Sequence, residues 1–168
     1  AQAMGKGWNL ILSSPHPKGS PMAEMFEQGK PAISIELGGS CHYMPQDFRA
    51  DGRALTDAYL NVMRHYGMIE GEPEYEEKWY TGVQVAVLAN RSGLWVAEPD
   101  FEFKKWARQG DVFARIYNLY GEELEQIKAP CDGFAFGLRT TPATHAGDWA
   151  IFYARIDGEM TELVRKRK

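Results

Sequence analysis

The sequence has few cysteines, no excess of basic residues and no long apolar run, and each absence excludes a class of protein. Of 168 residues only two are cysteines, and Cys41 and Cys131 lie far apart, so neither a disulfide framework nor a cysteine-rich zinc site is predicted. With 19 Lys and Arg against 23 Asp and Glu, the formal net charge is −4, which argues against a nucleic-acid partner. No apolar stretch approaches the ~20 residues of a membrane span. We therefore expect no membrane anchor, a reducing compartment and a cytoplasmic location.

The remaining composition is that of a folded protein. Hydrophobic residues make up 44% and charged residues 25% of the chain, a balance typical of globular domains. The apolar run Leu10–Leu12 is too short for the core of a signal peptide. The chain starts without an initiator Met, so we expect it to begin part-way through a longer polypeptide.

Strands and helices alternate in the first part of the sequence. Apolar periodicity and capping residues predict four elements: a strand at Trp8–Ser13, a helix from Ser20 to Gly29, a strand at Pro31–Leu37, and a helix at Ala54–Tyr66. This order implies two parallel strands joined by a crossover. Because two parallel strands do not make a stable sheet, we expect upstream residues or a second chain to supply the rest.

An acidic segment, Glu70–Lys78, separates this part from an all-β part. It holds five glutamates and a proline, and we interpret it as a linker. The predicted domains are therefore 1–69 and 79–168, with 70–78 between them. Short runs rich in aromatic and β-branched residues predict six strands, at Gly82–Ala89, Leu94–Ala97, Val112–Tyr117, Glu122–Lys128, Phe134–Leu138 and Trp149–Ile156.

A weak internal repeat runs through the β part. Ser92–Val96 resembles Asp132–Phe136, and Gly110–Ala114 resembles Gly147–Ile151, at offsets of 40 and 37 residues. Two similar halves predict a small pseudo-symmetric barrel or sandwich rather than a solenoid. Four of the five tryptophans fall here and favour a compact core: Trp79, Trp95, Trp106 and Trp149.

One carboxylate is placed where ligand sites form. Glu36 lies at the C-terminal end of a predicted parallel strand and is followed by Gly38 and Gly39. Ligands bind beyond the carboxyl ends of such strands, and glycines leave room beside the carboxylate. The alternative is an ordinary glutamate at the rim of the sheet.

Met22, Met25 and Phe26 share a helix face and are interpreted as core.

Three segments together resemble the C-terminal half of the succinylglutamate desuccinylase/aspartoacylase family: Gly29–Gly39 with its Glu-Leu-Gly-Gly, Asn61–Met68, and Ala129–Gly133. The resemblance covers nearly the whole chain in the same order. It implies the end of a zinc-carboxypeptidase-like α/β domain followed by a small all-β barrel-sandwich domain. It also implies hydrolysis of the amide bond in a small N-acyl amino acid or related amine.

By the same resemblance Glu36 is the catalytic carboxylate. In such enzymes zinc polarises the amide carbonyl and activates water, and the carboxylate moves the proton. The zinc ligands of the family are a His-x-x-Glu segment and a later His. None of the four histidines here has that spacing: His16, His42, His65 and His145. We therefore expect the ligands to lie in a missing N-terminal half or a complementary chain, and this chain alone to be inactive.

Two further interpretations stay open. The first is a non-catalytic binding or adaptor protein, because the two-fold β pattern is also that of biotinyl and lipoyl domains. The corresponding turn, Tyr117–Gly121, has no Lys to carry a cofactor. The second is a binding protein built on a decayed deacylase. We interpret His65 as a residue of the last helical turn, where a cation suits the helix dipole. We interpret Cys41 and His42 as loop residues. The sequence also allows a homo-oligomer.

Overall fold

The structure is a computed structural model that describes residues 1–13, 16–35, 37, 47–101, 106–139 and 141–161. It contains helices α1 (Pro21–Glu27) and α2 (Phe48–His65) and strands β1 (Leu10–Ser13), β2 (Trp79–Leu88), β3 (Gly93–Ala97), β4 (Trp106–Ala107), β5 (Val112–Tyr117), β6 (Glu123–Lys128), β7 (Gly133–Leu138), β8 (Ala143–Thr144) and β9 (Trp149–Met160). The described residues up to Thr81, with Glu159–Thr161, form one compact unit. Gly82–Gly158 supply the second. The predicted domain limits stay a prediction.

In the first unit, α1 forms as its capping residues predict. The Ser20 hydroxyl accepts a hydrogen bond from the Ala23 N–H at 3.3 Å, and Pro21 occupies the first turn. The helix closes at Gly29, which has a φ of 66°, and the Lys30 N–H donates to the Met25 carbonyl at 2.9 Å. A positive φ favours glycine, so the predicted role of Gly29 as the stop signal is confirmed.

Helix α2 is longer than predicted. It begins at Phe48 rather than Ala54 because Asp47 caps it, and the carboxylate accepts from the Arg49 and Ala50 N–H groups at 3.1 and 2.9 Å. A cap of this kind stabilises a helix by about 1 kcal/mol. That offsets the poor helix propensity of Gly52.

The predicted strand at Pro31–Leu37 is wrong for the residues that the structure describes. Neither Pro31–Ile35 nor Leu37 belongs to a strand. The other predicted strand of this unit exists as β1 and lies beside the start of β2, where the Tyr80 N–H donates to the Asn9 carbonyl at 2.7 Å. A strand forms only where a neighbour accepts its hydrogen bonds, and alternating apolar residues cannot supply that neighbour.

In the second unit, two sheets combine strands from both sequence repeats. One has the order β2-β9-β7-β4 and the other β6-β5-β3-β8. All six predicted strands are present with small shifts at their ends, whereas the two-residue strands β4 and β8 had no sequence signal. Antiparallel pairing joins β3 to β5 and β7 to β9. These pairings relate strands that are not consecutive in the chain.

The repeat found in the sequence is visible in the register. Gly93 pairs with Thr144 on β8, and the equivalent Gly133 pairs with Ala107 on β4. These pairs are related by the offsets of 40 and 37 residues. Each half of the repeat therefore completes the sheet of the other half.

The turns that precede β5 and β9 repeat as well. The Asp111 carboxylate accepts from the Arg108 N–H, and the Asp148 carboxylate accepts from the His145 N–H, both at 2.9 Å. The pKa of Asp148 lies below its usual range, chiefly because of that backbone hydrogen bond. His145 is thus part of a turn, as its sequence context indicates.

The core of the second unit lies between β5, β7 and β9. Phe113 and Tyr153 pack at 5.7 Å between ring centroids, and Tyr153 is fully buried. The tryptophans do not all contribute. Trp95 is 7% exposed and belongs to this core, whereas Trp106 and Trp149 are 47% and 39% exposed. Among the described residues, no helix combines the length and apolar character needed to cross a membrane.

Candidate active site

The predicted catalytic residue, Glu36, lies outside the described residues, and so do Gly38, Gly39, Cys41 and His42. The residues around it can be placed. Ile33 and Leu37 are 44% and 43% exposed, although the predicted pattern assigned them to the apolar face of a strand. Apolar residues on that pattern need a covering layer, and the described part of this chain does not supply one.

Helix α1, which leads into this segment, is uncovered in the same way. None of its residues is buried, and Met25 and Phe26 are 42% and 53% exposed. The interpretation of its apolar face as core is therefore wrong within this chain. The His16 ring stacks on Phe26 at 5.6 Å between centroids, which places that histidine against an aromatic ring.

The motif Asn61–Met68 spans the last turn of α2 and the three residues after it, and its first residue is a structural clamp. Asn61 is 5% exposed. Its side-chain amide donates to the carbonyls of Ala3 at 3.0 Å and Glu74 at 2.6 Å, and its oxygen accepts from the Glu74 N–H at 2.7 Å. A Cβ at Gly5 would lie 2.8 Å from this amide. Asn61 thus ties the N-terminal turn and the acidic segment to α2, a role that sequence reasoning missed.

Removing that amide tests the clamp. We expect Asn61→Ala to lower the free energy of unfolding by about 1–3 kcal/mol, because it leaves the part-buried backbone groups of Ala3 and Glu74 without their side-chain partner. Urea denaturation followed by circular dichroism measures this. Thr56→Ala on the same helix, where the hydroxyl donates only to the exposed Gly52 carbonyl, should change stability by less than about 0.5 kcal/mol. Equal effects of the two variants would contradict the clamp.

His65 has a partner that the helix dipole does not account for. A hydrogen bond of 2.8 Å joins its Nδ1 to the Tyr75 hydroxyl, and its ring meets the edges of Tyr66 and Tyr75 at 4.9 and 5.8 Å. Burial, and then the nearby Glu72 carboxylate, raise the pKa of Tyr75. The His65 and Tyr75 rings therefore hold the acidic segment against α2, and we assign both residues a structural role.

The third motif, Ala129–Gly133, is a joint between the two repeats. The Asp132 carboxylate accepts from the Gln109 N–H at 2.8 Å, and the Tyr153 hydroxyl donates to the Cys131 carbonyl at 2.8 Å. Burial raises the pKa of the Cys131 thiol, which leaves it a poor nucleophile. This motif supports the fold of the second unit.

The part of the chain that the structure describes holds no group of three or more His, Cys, Asp or Glu side chains suited to a metal ion. A catalytic zinc needs about three protein ligands and an open position. The described residues therefore do not fit a zinc site.

Solved structures with this fold include two described as succinylglutamate desuccinylases and one ectoine utilization protein. A succinylglutamate desuccinylase from Silicibacter sp. TM1040 matches 93% of this chain over 47% of its own, with a TM-score of 0.73 and 20% identity. The ectoine utilization protein EutE (DoeB) from Ruegeria pomeroyi, in its apo form, matches 91% over 48%, with a TM-score of 0.74 and 20% identity. A succinylglutamate desuccinylase/aspartoacylase from Rhodobacter sphaeroides matches 94% over 48%, with a TM-score of 0.70 and 20% identity.

The chain has the succinylglutamate desuccinylase/aspartoacylase fold. It spans about half the length of these structures, in agreement with the predicted C-terminal half. The fold of the chain is mixed and rich in β-sheet. The finer description, a zinc-carboxypeptidase-like domain followed by a barrel-sandwich, stays a prediction. No protein-family model and no curated protein sequence matches the chain.

Proposed function

We propose that these residues are the C-terminal part of a zinc-dependent deacylase that hydrolyses the amide bond of a small N-acyl amino acid or related N-acylated amine. The observation that carries the proposal is the fold match, which covers 93% of this chain but only 47% of a succinylglutamate desuccinylase. The Glu-Leu-Gly-Gly segment supports it independently, since it supplies a carboxylate of the type that amide hydrolysis requires.

Glu36 is proposed as the general acid and base. Hydrolysis of an amide needs a group that accepts a proton from the attacking water and delivers one to the leaving amine. A carboxylate does both in succession when it lies within hydrogen-bond reach of the two atoms. Cys131 and Tyr153 are not proposed for this role, because a hydrogen bond joins them within the second unit.

The zinc is proposed to be held by the other half of the enzyme. The described residues do not fit a metal site, and the solved structures are about twice as long as the matched region. The catalytic carboxylate and the metal ligands would then lie on opposite sides of the chain boundary. Activity requires both parts together.

The exposed apolar residues of the first unit support the proposal that a further part of the protein covers them. Met25, Phe26, Ile33 and Leu37 are all more than 40% exposed. A helix and a predicted strand with uncovered apolar faces are stabilised by packing against further elements. We propose that the remaining half of the polypeptide, or a complementary chain, covers them.

Zinc content and amide hydrolysis test the proposed function. We expect the 168-residue chain to bind no stoichiometric zinc and to show no hydrolysis of N-acetyl or N-succinyl amino acids. The complete polypeptide that contains these residues, or the chain with a partner that carries His-x-x-Glu, should bind about one zinc and hydrolyse at least one of these substrates. Metal analysis and amine release measure both quantities.

Two results would contradict the proposal. Hydrolysis by the 168 residues alone would place the metal ligands within this chain. A complete polypeptide without zinc and without activity would favour a non-catalytic binding or adaptor protein, for which the two strand-exchanged β repeats are the supporting observation.

A further inference from the structure

Helix α2 carries an apolar face that is largely exposed. Its members are spaced by three, four or seven residues, which keeps them on one side of an α-helix: Phe48, Leu55, Tyr59, Met63 and Tyr66, the last being the C-cap. Phe48, Tyr59 and Tyr66 are 76%, 56% and 40% exposed, and Leu55 and Met63 are only partly buried. We call these five residues the apolar face of α2. A stripe of this kind faces a core in a folded domain.

The face by which α2 packs on its own unit is a different one. Ala58 and Asn61 are buried, and Asn61 is the clamp that binds the N-terminal turn and the acidic segment. At 3.6 residues per turn, this buried face lies about a third of a turn away from the apolar face. The contacts that hold α2 in the first unit therefore do not cover its aromatic residues.

A third face of α2 is suited to water. Arg49, Arg53 and Asp57 are charged and exposed, and they lie about a third of a turn further round the helix. A helix on the surface of a domain needs one apolar stripe and one polar face. Helix α2 has a buried face, a charged face and an additional apolar face, which is the pattern of a helix that packs against two layers.

About half of the fold to which this chain belongs lies outside the 168 residues. The chain matches over 93% of its length but over only 47% of the succinylglutamate desuccinylase structure, and over only 48% of EutE (DoeB). Elements of one domain bury their apolar faces against one another. An apolar face that is exposed in one half of a fold is therefore expected to meet the other half.

A second copy of this chain is the weaker occupant. At about 200 Å² for a whole aromatic side chain, the exposed fractions of Phe48, Tyr59 and Tyr66 amount to about 340 Å². That is less than half of the roughly 800 Å² per partner that a stable dimer buries. The other half of the fold does not depend on this face alone, because it is also proposed to cover the exposed residues of α1.

We propose that the apolar face of α2 packs against the N-terminal half of the succinylglutamate desuccinylase/aspartoacylase fold. Helix α2 is then an internal helix of the complete first unit, covered on two sides, and only its charged face stays in water. This inference rests on the part of the proposed function that assigns the other half of the fold to the protein. It does not depend on zinc or on hydrolysis.

Hydroxyl-radical footprinting of the complete polypeptide, or of this chain in complex with its complementary chain, tests the packing without any substitution. We expect the Tyr59 ring to be oxidised at least about tenfold more slowly than a tyrosine in an unstructured peptide, because a packed layer excludes water from it. Its exposure of 56% in the 168 residues is too large for such protection. A rate within about threefold of the peptide rate would overturn the proposal.

A pair of serine substitutions gives a second measurement in the same complete protein. Tyr59→Ser should lower Tm by at least about 5 °C, since it removes an aromatic ring from a packed interface. Asp57→Ser is the matched control on the charged face and should change Tm by less than about 2 °C. Thermal unfolding followed by circular dichroism measures both. Equal shifts for the two variants would contradict the packing, and the footprinting decides the question if Tyr59→Ser does not fold.

Two further results separate this inference from its alternatives. Sedimentation velocity that shows a dimer of the complete protein, dissociated by Tyr59→Ser, would assign the face to a second copy and overturn the proposal. An active zinc enzyme in which Tyr59 is oxidised at the peptide rate would reject this inference alone. A complete protein without zinc or activity, but with Tyr59 protected, would reject the proposed function and support the packing.

Discussion

In the proposed complete deacylase, Glu36→Gln is expected to lower kcat by about 10³-fold, within the range that general acid–base catalysis contributes. Glutamine has nearly the same shape as glutamate but cannot accept the proton of the attacking water. The expected result is therefore a large loss of kcat with little change in KM, since the substrate is still bound in the same place. This follows from the proposed role of Glu36 and does not depend on the amine or acyl group.

Steady-state kinetics and zinc content measure the two parts of this prediction. The zinc content should be unchanged, because the metal ligands are proposed to lie on the other half of the enzyme. Glu27→Gln is the matched control, since it makes the same change at an exposed position of α1 and should leave kcat within about twofold. If Glu36→Gln retained more than about a tenth of the activity, another group would have to move the proton.

Gly133→Ala is expected to cost more than about 3 kcal/mol of stability, the upper end of the range for overpacking. A Cβ at this position would lie 2.0 Å from the Ala154 carbonyl oxygen and 3.1 Å from the Tyr153 ring. Both belong to β9. The antiparallel register of β7 and β9 fixes the carbonyl, and Tyr153 is packed in the core. Neither atom has room to retreat, so the strands must separate.

The sequence repeat provides a replicate of this experiment. Gly93 is the equivalent residue, and a Cβ there would lie 2.4 Å from the Tyr117 carbonyl oxygen, so Gly93→Ala should be destabilising as well. Gly52→Ala in α2 is the opposite case. Nothing lies within 4 Å of that Cβ, and alanine is the better helix former by about 1 kcal/mol. Urea denaturation of all three chains would contradict the argument if Gly133→Ala and Gly52→Ala were equally stable.

Much of the local structure can be predicted from the sequence because its causes are local. Ser20 and Gly29 delimit α1 through hydrogen bonds within a few residues of each other. The strands of the second unit follow from alternating apolar residues and turn signals. The two-fold repeat is also predicted, from the offsets of 40 and 37 residues, and its equivalent sequences form equivalent turns at Asp111 and Asp148.

The candidate site is predictable to a smaller extent. The Glu-Leu-Gly-Gly segment and the order of the three motifs indicate the family fold, which the solved structures match. The role of Glu36 stays a prediction, because it depends on a substrate and a metal that no residue pattern places. The role of Asn61 was missed for a related reason. Its partner Ala3 is 58 residues away, and no local pattern connects them.

By itself, the sequence determined both ends of α1, the turn residues, the six main strands and the two-fold repeat, all of which depend on neighbours along the chain or on its periodicity. Only the tertiary structure decided which strands find partners and which apolar residues are covered. Pro31–Ile35 alternates like a strand but has none of the pairing that defines one, and Trp106 and Trp149 are as apolar as Trp95 but lie at the surface. Pairing and burial are properties of two surfaces at once, and a single segment of sequence describes only one of them.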